Sequence, residues 1–168
     1  MRIFLLCLSF LSSSICLFCQ SELAKRNGFK DIKLGSSVDS VKGAVLLKDF
    51  IENKEFQAKL WEVEHNDYQK IGTVEVKHIE LKTYNGLIYE INVSTAKDPQ
   101  VMKALEKSFG KAIYSIRDER FYWRAPDTLS LVYKGHPKKI ELSYRSVPVR
   151  KQMFADKGKK IEEIADDF

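Results

Sequence analysis

The chain has 168 residues, 28 basic and 23 acidic, with a formal net charge of +5, 44% apolar residues and 30% charged ones. That balance excludes bulk disorder and is ordinary for a globular protein. Cations gather only in short groups such as Lys138-Lys139 and Lys157-Gly158-Lys159-Lys160, so the clustered basic face of a nucleic-acid-binding protein is missing and no nucleic-acid partner is expected.

Arg2 is followed by an apolar, serine-dotted run from Ile3 to Phe18 and then by Cys19-Gln20. This pattern reads as a secretory signal peptide over residues 1–19. The run covers about sixteen residues, short of the roughly twenty that a spanning helix needs. Cleavage after Cys19 or after Ser21 is expected. The rival is acylation of Cys19, which alone would tether the domain to a membrane; Phe18 beside that thiol suits a lipoprotein signal badly. All three cysteines (Cys7, Cys16 and Cys19) lie in this leader, so an exported chain, periplasmic or extracellular, carries no disulfide and depends on its core. A chain of roughly 150 residues buries close to 70% of its unfolded surface, enough for one domain.

A polar segment over residues 20–27 precedes a single α+β domain expected over 28–168. Gly28 to Gly35 reads as a short opening strand, with Phe29, Ile32 and Leu34 as its apolar positions. A helix is predicted next, capped by Ser36 or Ser37, with Asp39 in its first turn and Val38, Val41, Val45 and Leu46 as its stripe; Gly43 weakens it. From Phe56 the period becomes two, with Phe56 and Ala58 out of phase with Trp61 and Val63, which suggests a slip within the strand. Val74 to Leu81 forms another strand whose apolar face shifts around Lys77-His78, as at a bulge. Asn85-Gly86 predicts a tight type I′ hairpin, returning through Leu87, Tyr89, Ile91 and Val93 as one inner face.

Asp98 as cap, Pro99 at the first helical position and Gly110 as stop define a second helix, with Val101, Met102, Leu105 and Phe109 facing the core. Three strands follow over 120–124, 129–133 and 139–145, separated by Pro126-Asp127 and Gly135-His136-Pro137. A closing amphipathic helix over 150–166, carrying Phe154, Ile161, Ile164 and Ala165, with Phe168 continuing the stripe just beyond it, is interrupted or weakened by Gly158. The fold class is therefore α+β: an antiparallel sheet covered on one face by two or three helices, with a helix-plus-three-strand unit written twice, in halves 28–96 and 97–146.

Gly28-Phe29 to Leu34-Gly35-Ser36, the hairpin Tyr84-Asn85-Gly86-Leu87-Ile88-Tyr89-Glu90-Ile91, Leu105 to Gly110, and Tyr122-Trp123 with two amphipathic strands resemble small exported bacterial domains, similar to the BamE/SmpA-OmlA and β-lactamase-inhibitor-like groups. The resemblance covers most of residues 28 to 146 and rests on element order and a few glycines. It implies a non-enzymatic, protein-binding role at the envelope. The lipoprotein members carry a clear lipobox, which this chain lacks, and no family binding residues are carried over.

No catalytic, cofactor or metal residues are assigned. His65, His78 and His136 have no histidine or cysteine at ligand spacing. Glu62 and Glu64, beside His65, alternate on one strand and are the acids an envelope-directed hydrolase would use; a solvated strand face is the simpler explanation, since nothing in the sequence identifies a substrate pocket. No Gly-x-Ser-x-Gly occurs. Trp61, Tyr122 and Trp123 are the candidate partner-binding residues, because aromatic side chains give large contact area at low entropy cost. Phe56, Trp61, Tyr89 and Trp123 would line the cavity of a small-hydrophobe carrier. The leading expectation is a monomeric, non-catalytic module that binds an envelope protein.

Overall fold

The computed structural model describes residues 22–165, so the leader expected over residues 1–19 lies outside the described residues. In chain order the elements are a helical turn over residues 22–26 (α1), a small hairpin of Gly28–Phe29 (β1) and Ile32–Lys33 (β2), then Ala44–Glu52 (β3), Phe56–Val63 (β4), Lys70–Ile71 (β5), Val74–Tyr84 (β6) and Leu87–Ala96 (β7). Pro99–Phe109 (α2) leads to Ile113–Ser115 (β8), Arg120–Ala125 (β9), Leu129–Gly135 (β10), Lys139–Ser146 (β11) and Val147–Ala165 (α3). The fold is α+β. Strands β3 to β11 build one nine-stranded antiparallel sheet in the order β3-β4-β6-β7-β11-β10-β9-β8, with β5 attached to β6.

Two four-stranded meanders make this sheet. Their last strands, β7 and β11, pair antiparallel at its centre, with Val93 opposite Leu142 and Ile91 opposite Tyr144. Each meander leads directly into a helix, α2 after β7 and α3 after β11.

The helix expected over Val38 to Leu46 is not formed. Ser37 does act as a cap, accepting from the Asp39 amide at 3.3 Å, but the capped element is one 3-10 turn, Val38–Ser40. Gly43 then takes φ +73°, and a side chain there would run into the Glu64 carbonyl. Its own carbonyl accepts from the Glu64 amide at 3.0 Å. Only glycine adopts that conformation at no steric cost, so the chain turns and continues as β3. This strand lies at the sheet edge with Val45, Leu46, Leu47 and Ile51 exposed. The unit that each half contributes is consequently a meander followed by a helix.

The remaining local signals act as their chemistry dictates. Asn85 and Gly86 have φ of 50° and 80°, the pair of positive values that a type I′ turn requires. The ladder shifts between Val76 and His78, where the alternation of the sequence breaks. Asp98 accepts from the Gln100 amide at 2.8 Å, Pro99 opens α2, and Gly110 closes it at φ 80°.

Two apparent irregularities have a common cause. β4 pairs with β6 in unbroken register from Lys59 to Glu62; the ladder with β3 does shift at the step from Leu60 to Trp61, but the extra residue is Leu47 of β3, so the phase change between Phe56/Ala58 and Trp61/Val63 is no slip within β4. The strand buries opposite faces at its two ends: Val63 joins the main core, with Trp61 packed against it, whereas Phe56 and Ala58 join a second cluster under Val149 and Met153 of α3. In β7 the register shift opposite Lys82 and Thr83 leaves Tyr89 as the extra residue. Tyr89 and Leu87 therefore pack with the second cluster, while Ile91 and Val93 point into the main core, and the single inner face expected from Leu87 to Val93 is split.

Helices consequently cover parts of both faces. The main core joins Leu23 of α1, Phe29 and Ile32 of the small hairpin, and Val101 and Phe109 of α2 to Ile79, Leu81, Ile91, Leu131 and Leu142 of the sheet. Leu23, within the polar segment set outside the expected domain, is only 2% exposed. α3 begins three residues earlier than expected and runs unbroken through Gly158, with the Ser146 hydroxyl accepting from the Val149 amide at 3.3 Å. Only Val149 and Met153 of α3 are buried; Phe154, Ile161 and Ile164 are exposed.

Candidate functional site

Beyond the corner under α3, the sheet face opposite α2 is left open and carries the polar half of each strand's alternation. Register aligns these side chains in transverse rows. One row runs Lys134, Glu141, Ser94, His78. The next runs Tyr122, Val132, Ser143, Asn92, Glu80, Glu62. A third runs Arg124, Ser130, Arg145, Glu90, Lys82, Leu60. Twist and curvature make the centre concave, a basin of about 450 Å³.

A buried charge lies at its floor. Glu90 is 4% exposed; it accepts from Arg145 Nε at 2.9 Å and Asn92 Nδ2 at 3.0 Å, with Lys82 Nζ at 3.5 Å. Burial opposes its ionisation, but the Arg145 guanidinium and the Lys82 ammonium outweigh burial and hold the carboxyl below the usual carboxylate range. Lys82 also donates to Glu52 at 3.1 Å, and Glu52 accepts from the Tyr89 hydroxyl at 3.1 Å. Burial, with Glu52 beside it, pushes the Tyr89 phenol up. Ser143 donates to the Asn92 amide oxygen at 2.7 Å.

Around the rim, His78 sits between two carboxylates, with Nδ1 2.8 Å from Glu62 and Nε2 3.2 Å from Glu80. Glu141 lies 2.9 Å from His136 and 2.5 Å from Lys139. Burial raises its carboxyl pKa, the hydrogen bonds from Lys139 and His136 lower it, and the net shift is downward.

The structure distributes the sequence candidates unevenly. Trp123 is buried, with Nε1 donating to the Gly110 carbonyl at 2.7 Å, and it ties β9 to the end of α2. Trp61 packs against the main core with Nε1 donating to Thr83 Oγ1 at 2.9 Å. Tyr122 alone of the three lies on the open face, its hydroxyl donating to Asp118 at 3.2 Å. Glu62 and Glu64 are not held as a pair, since Glu64 lies past the end of β4 and is exposed. His65 caps the turn over Asn66–Tyr68 by accepting from the Asp67 amide. Phe56 and Tyr89 belong to one apolar cluster and Trp61 and Trp123 to the other, so the four enclose no common cavity. The network around Glu90 is not legible in the sequence, where its members look like ordinary solvated strand positions. Their only signal is that Glu80, Lys82, Glu90 and Asn92 flank one tight turn, which brings them opposite each other.

A second depression, of about 390 Å³, lies between α2 and the small hairpin and is lined by Phe29, Ile71, Val101, Leu105, Phe109 and Tyr144, with Arg26 and Lys30.

The fold and site together define an α+β domain with an antiparallel sheet and one polar, concave face. Comparison of the chain with protein-family models, with curated proteins and with solved structures gives no match. Among the described residues no group of histidine, cysteine, aspartate and glutamate has the arrangement of a metal site. No helix among them is long and apolar enough to cross a membrane.

Proposed function

We propose that this protein is an exported, non-catalytic module that binds a protein of the cell envelope, with the open sheet face as its binding surface. The supporting observation is the network across that face: Glu52, Lys82, Glu90, Arg145, Asn92 and Ser143 hold one another in place. Side chains fixed before binding lose little entropy when a partner arrives, so such a surface is preorganised. Tyr122 at one end adds an aromatic contact, and the apolar edge strand β3 borders the other. The reading agrees with the role that the resemblance to small exported envelope domains implies, and the leader expected at residues 1–19 supports export. Chemical cross-linking with mass spectrometry in the native envelope tests it. The expected result is reproducible links from Lys82, Lys134 and Lys139 to one envelope protein. Links scattered over all lysines, with no recurrent partner, would reject it.

The crevice under α2 favours a second reading, a carrier of a small hydrophobic ligand. Native mass spectrometry of the purified protein would show a bound small molecule, lost in a Val101→Trp variant that fills the crevice.

A further inference from the structure

The carboxylates of the basin are unevenly shared with its cations. Glu90 is held by Arg145 and Lys82, Glu141 by Lys139 and His136, and Glu80 by His78. That leaves Arg120 of β9 and Lys134 of β10, both lining the basin, without an ion-pair partner among the described residues. The two are neighbours. They lie one step beyond the cross-strand pair Phe121 and Tyr133 and share the opposite, open face. Like charges facing each other across two strands repel, and Glu141, across from Lys134 on the other side, is already engaged by Lys139 and His136. Arg120 Nε is in addition fully buried with no hydrogen-bond acceptor, the one such side-chain atom among the described residues. An N–H buried without an acceptor costs free energy, so this arginine is held in place with an incomplete set of partners.

We propose that Arg120 and Lys134 form an oxyanion site at the end of the basin, which takes a phosphate or carboxylate group. Arg120 offers its two terminal guanidinium nitrogens as a planar fork to two oxygens of one group, while the Lys134 ammonium neutralises the second charge as a mobile point charge. Ser94 and Ser143, also in the lining, supply hydroxyls to the rest of the ligand. The volume of about 450 Å³ suits a small polar molecule or the acidic tip of a partner's loop. This goes beyond the binding role proposed above, because it fixes the chemistry of what is bound and where.

The test uses inorganic phosphate, citrate and a hexaglutamate peptide as probes of the full mature chain, followed by titration calorimetry and by the Arg Nε–H resonances in NMR. Saturable binding of phosphate or citrate that shifts the Arg120 Nε–H signal, weakened about tenfold or more in Arg120→Gln and in Lys134→Gln, is the expected result. Arg120→Lys keeps the charge without the fork and should recover only part of the affinity. Binding confined to hexaglutamate, with the same sensitivity to both variants, also supports the site and assigns its source to a partner protein. No binding of any probe, or equal binding by wild type and both variants, overturns it. Either variant serves if the other fails to fold, and melting curves without ligand check both; relief of the repulsion should leave them no less stable than wild type. A recurrent cross-linked partner without oxyanion binding would sink this site and leave the proposed function standing, and the converse result would do the opposite.

Discussion

Replacing Glu90 with glutamine removes the negative charge at the floor of the basin while keeping its shape. In the native protein the carboxylate takes one charge-assisted hydrogen bond from Arg145 at 2.9 Å and a further attraction from Lys82 at 3.5 Å. Glutamine can still accept one bond from Arg145, but the bond loses its ionic part, and the half-buried guanidinium is left without a counter-charge. Charged hydrogen bonds contribute about 1.5–3 kcal/mol against about 1 for neutral ones, so the variant should lose about 2 kcal/mol at pH 7. For a domain of this size that is a fall in Tm of about 4–8 °C. The pH dependence is the sharper check. The Glu90 carboxyl is held below its ordinary range, so its stabilising effect is complete above the unfolded-state pKa of about 4.3 and disappears as pH falls through the folded value. Urea unfolding followed by tryptophan fluorescence, at pH 7 and at several points below pH 4.3, should show a gap between wild type and Glu90→Gln that shrinks on acidification. A gap that is constant or grows, or a variant as stable as wild type at pH 7, would mean that desolvation of the three charges cancels their attraction, and the reasoning would be refuted.

Gly43→Ala places a side chain in the left-handed region against the Glu64 carbonyl and should cost about 2 kcal/mol or more, whereas Gly158→Ala, in the open middle of α3, should stabilise by roughly 0.5–1 kcal/mol; paired thermal melts give both signs. Leu131→Ala, at a fully buried position of β10, should lose about 3–5 kcal/mol in denaturant titration, while Leu46→Ala on the exposed edge should stay within about 0.5 kcal/mol of wild type. Trp123→Phe removes the bond to the Gly110 carbonyl and should cost about 1–3 kcal/mol, with faster hydrogen exchange at the end of α2 as the local readout.

Legibility followed the range of the interactions. Helix α2 could be read because Asp98, Pro99 and Gly110 act within one turn of where they stand, and the hairpin because Asn85 and Gly86 alone meet its backbone demand. Strand β3 could not. A cap at Ser37 followed by valines at 38, 41 and 45 satisfies a helical pattern, an edge strand with both faces exposed shows no alternation, and Gly43 is fixed by Glu64, far along the chain. The aromatic candidates failed to sort for a related reason. Whether Tyr122 or Trp123 faces the solvent depends on which side α2 covers. The open face needed still more: Glu90 meets Arg145 only through the pairing of β7 with β11. Arg120 in sequence is one cation in a charged turn, and its exceptional position emerges only from what fails to reach it.

The central pairing of β7 with β11 also imposes a schedule on the nascent chain. The first meander is finished at Ala96, but the outer edge of β7, with Ile91 and Val93 beside it, has no partner until Ser146 has been made. At about 5–20 residues per second, the roughly 50 intervening residues take several seconds. During that time the strand destined to be the most buried of the sheet presents an open edge to any other chain nearby. Two half-made chains that met there would have matching ladders, and exchange of second meanders between copies is the misassembly to which this fold is most exposed.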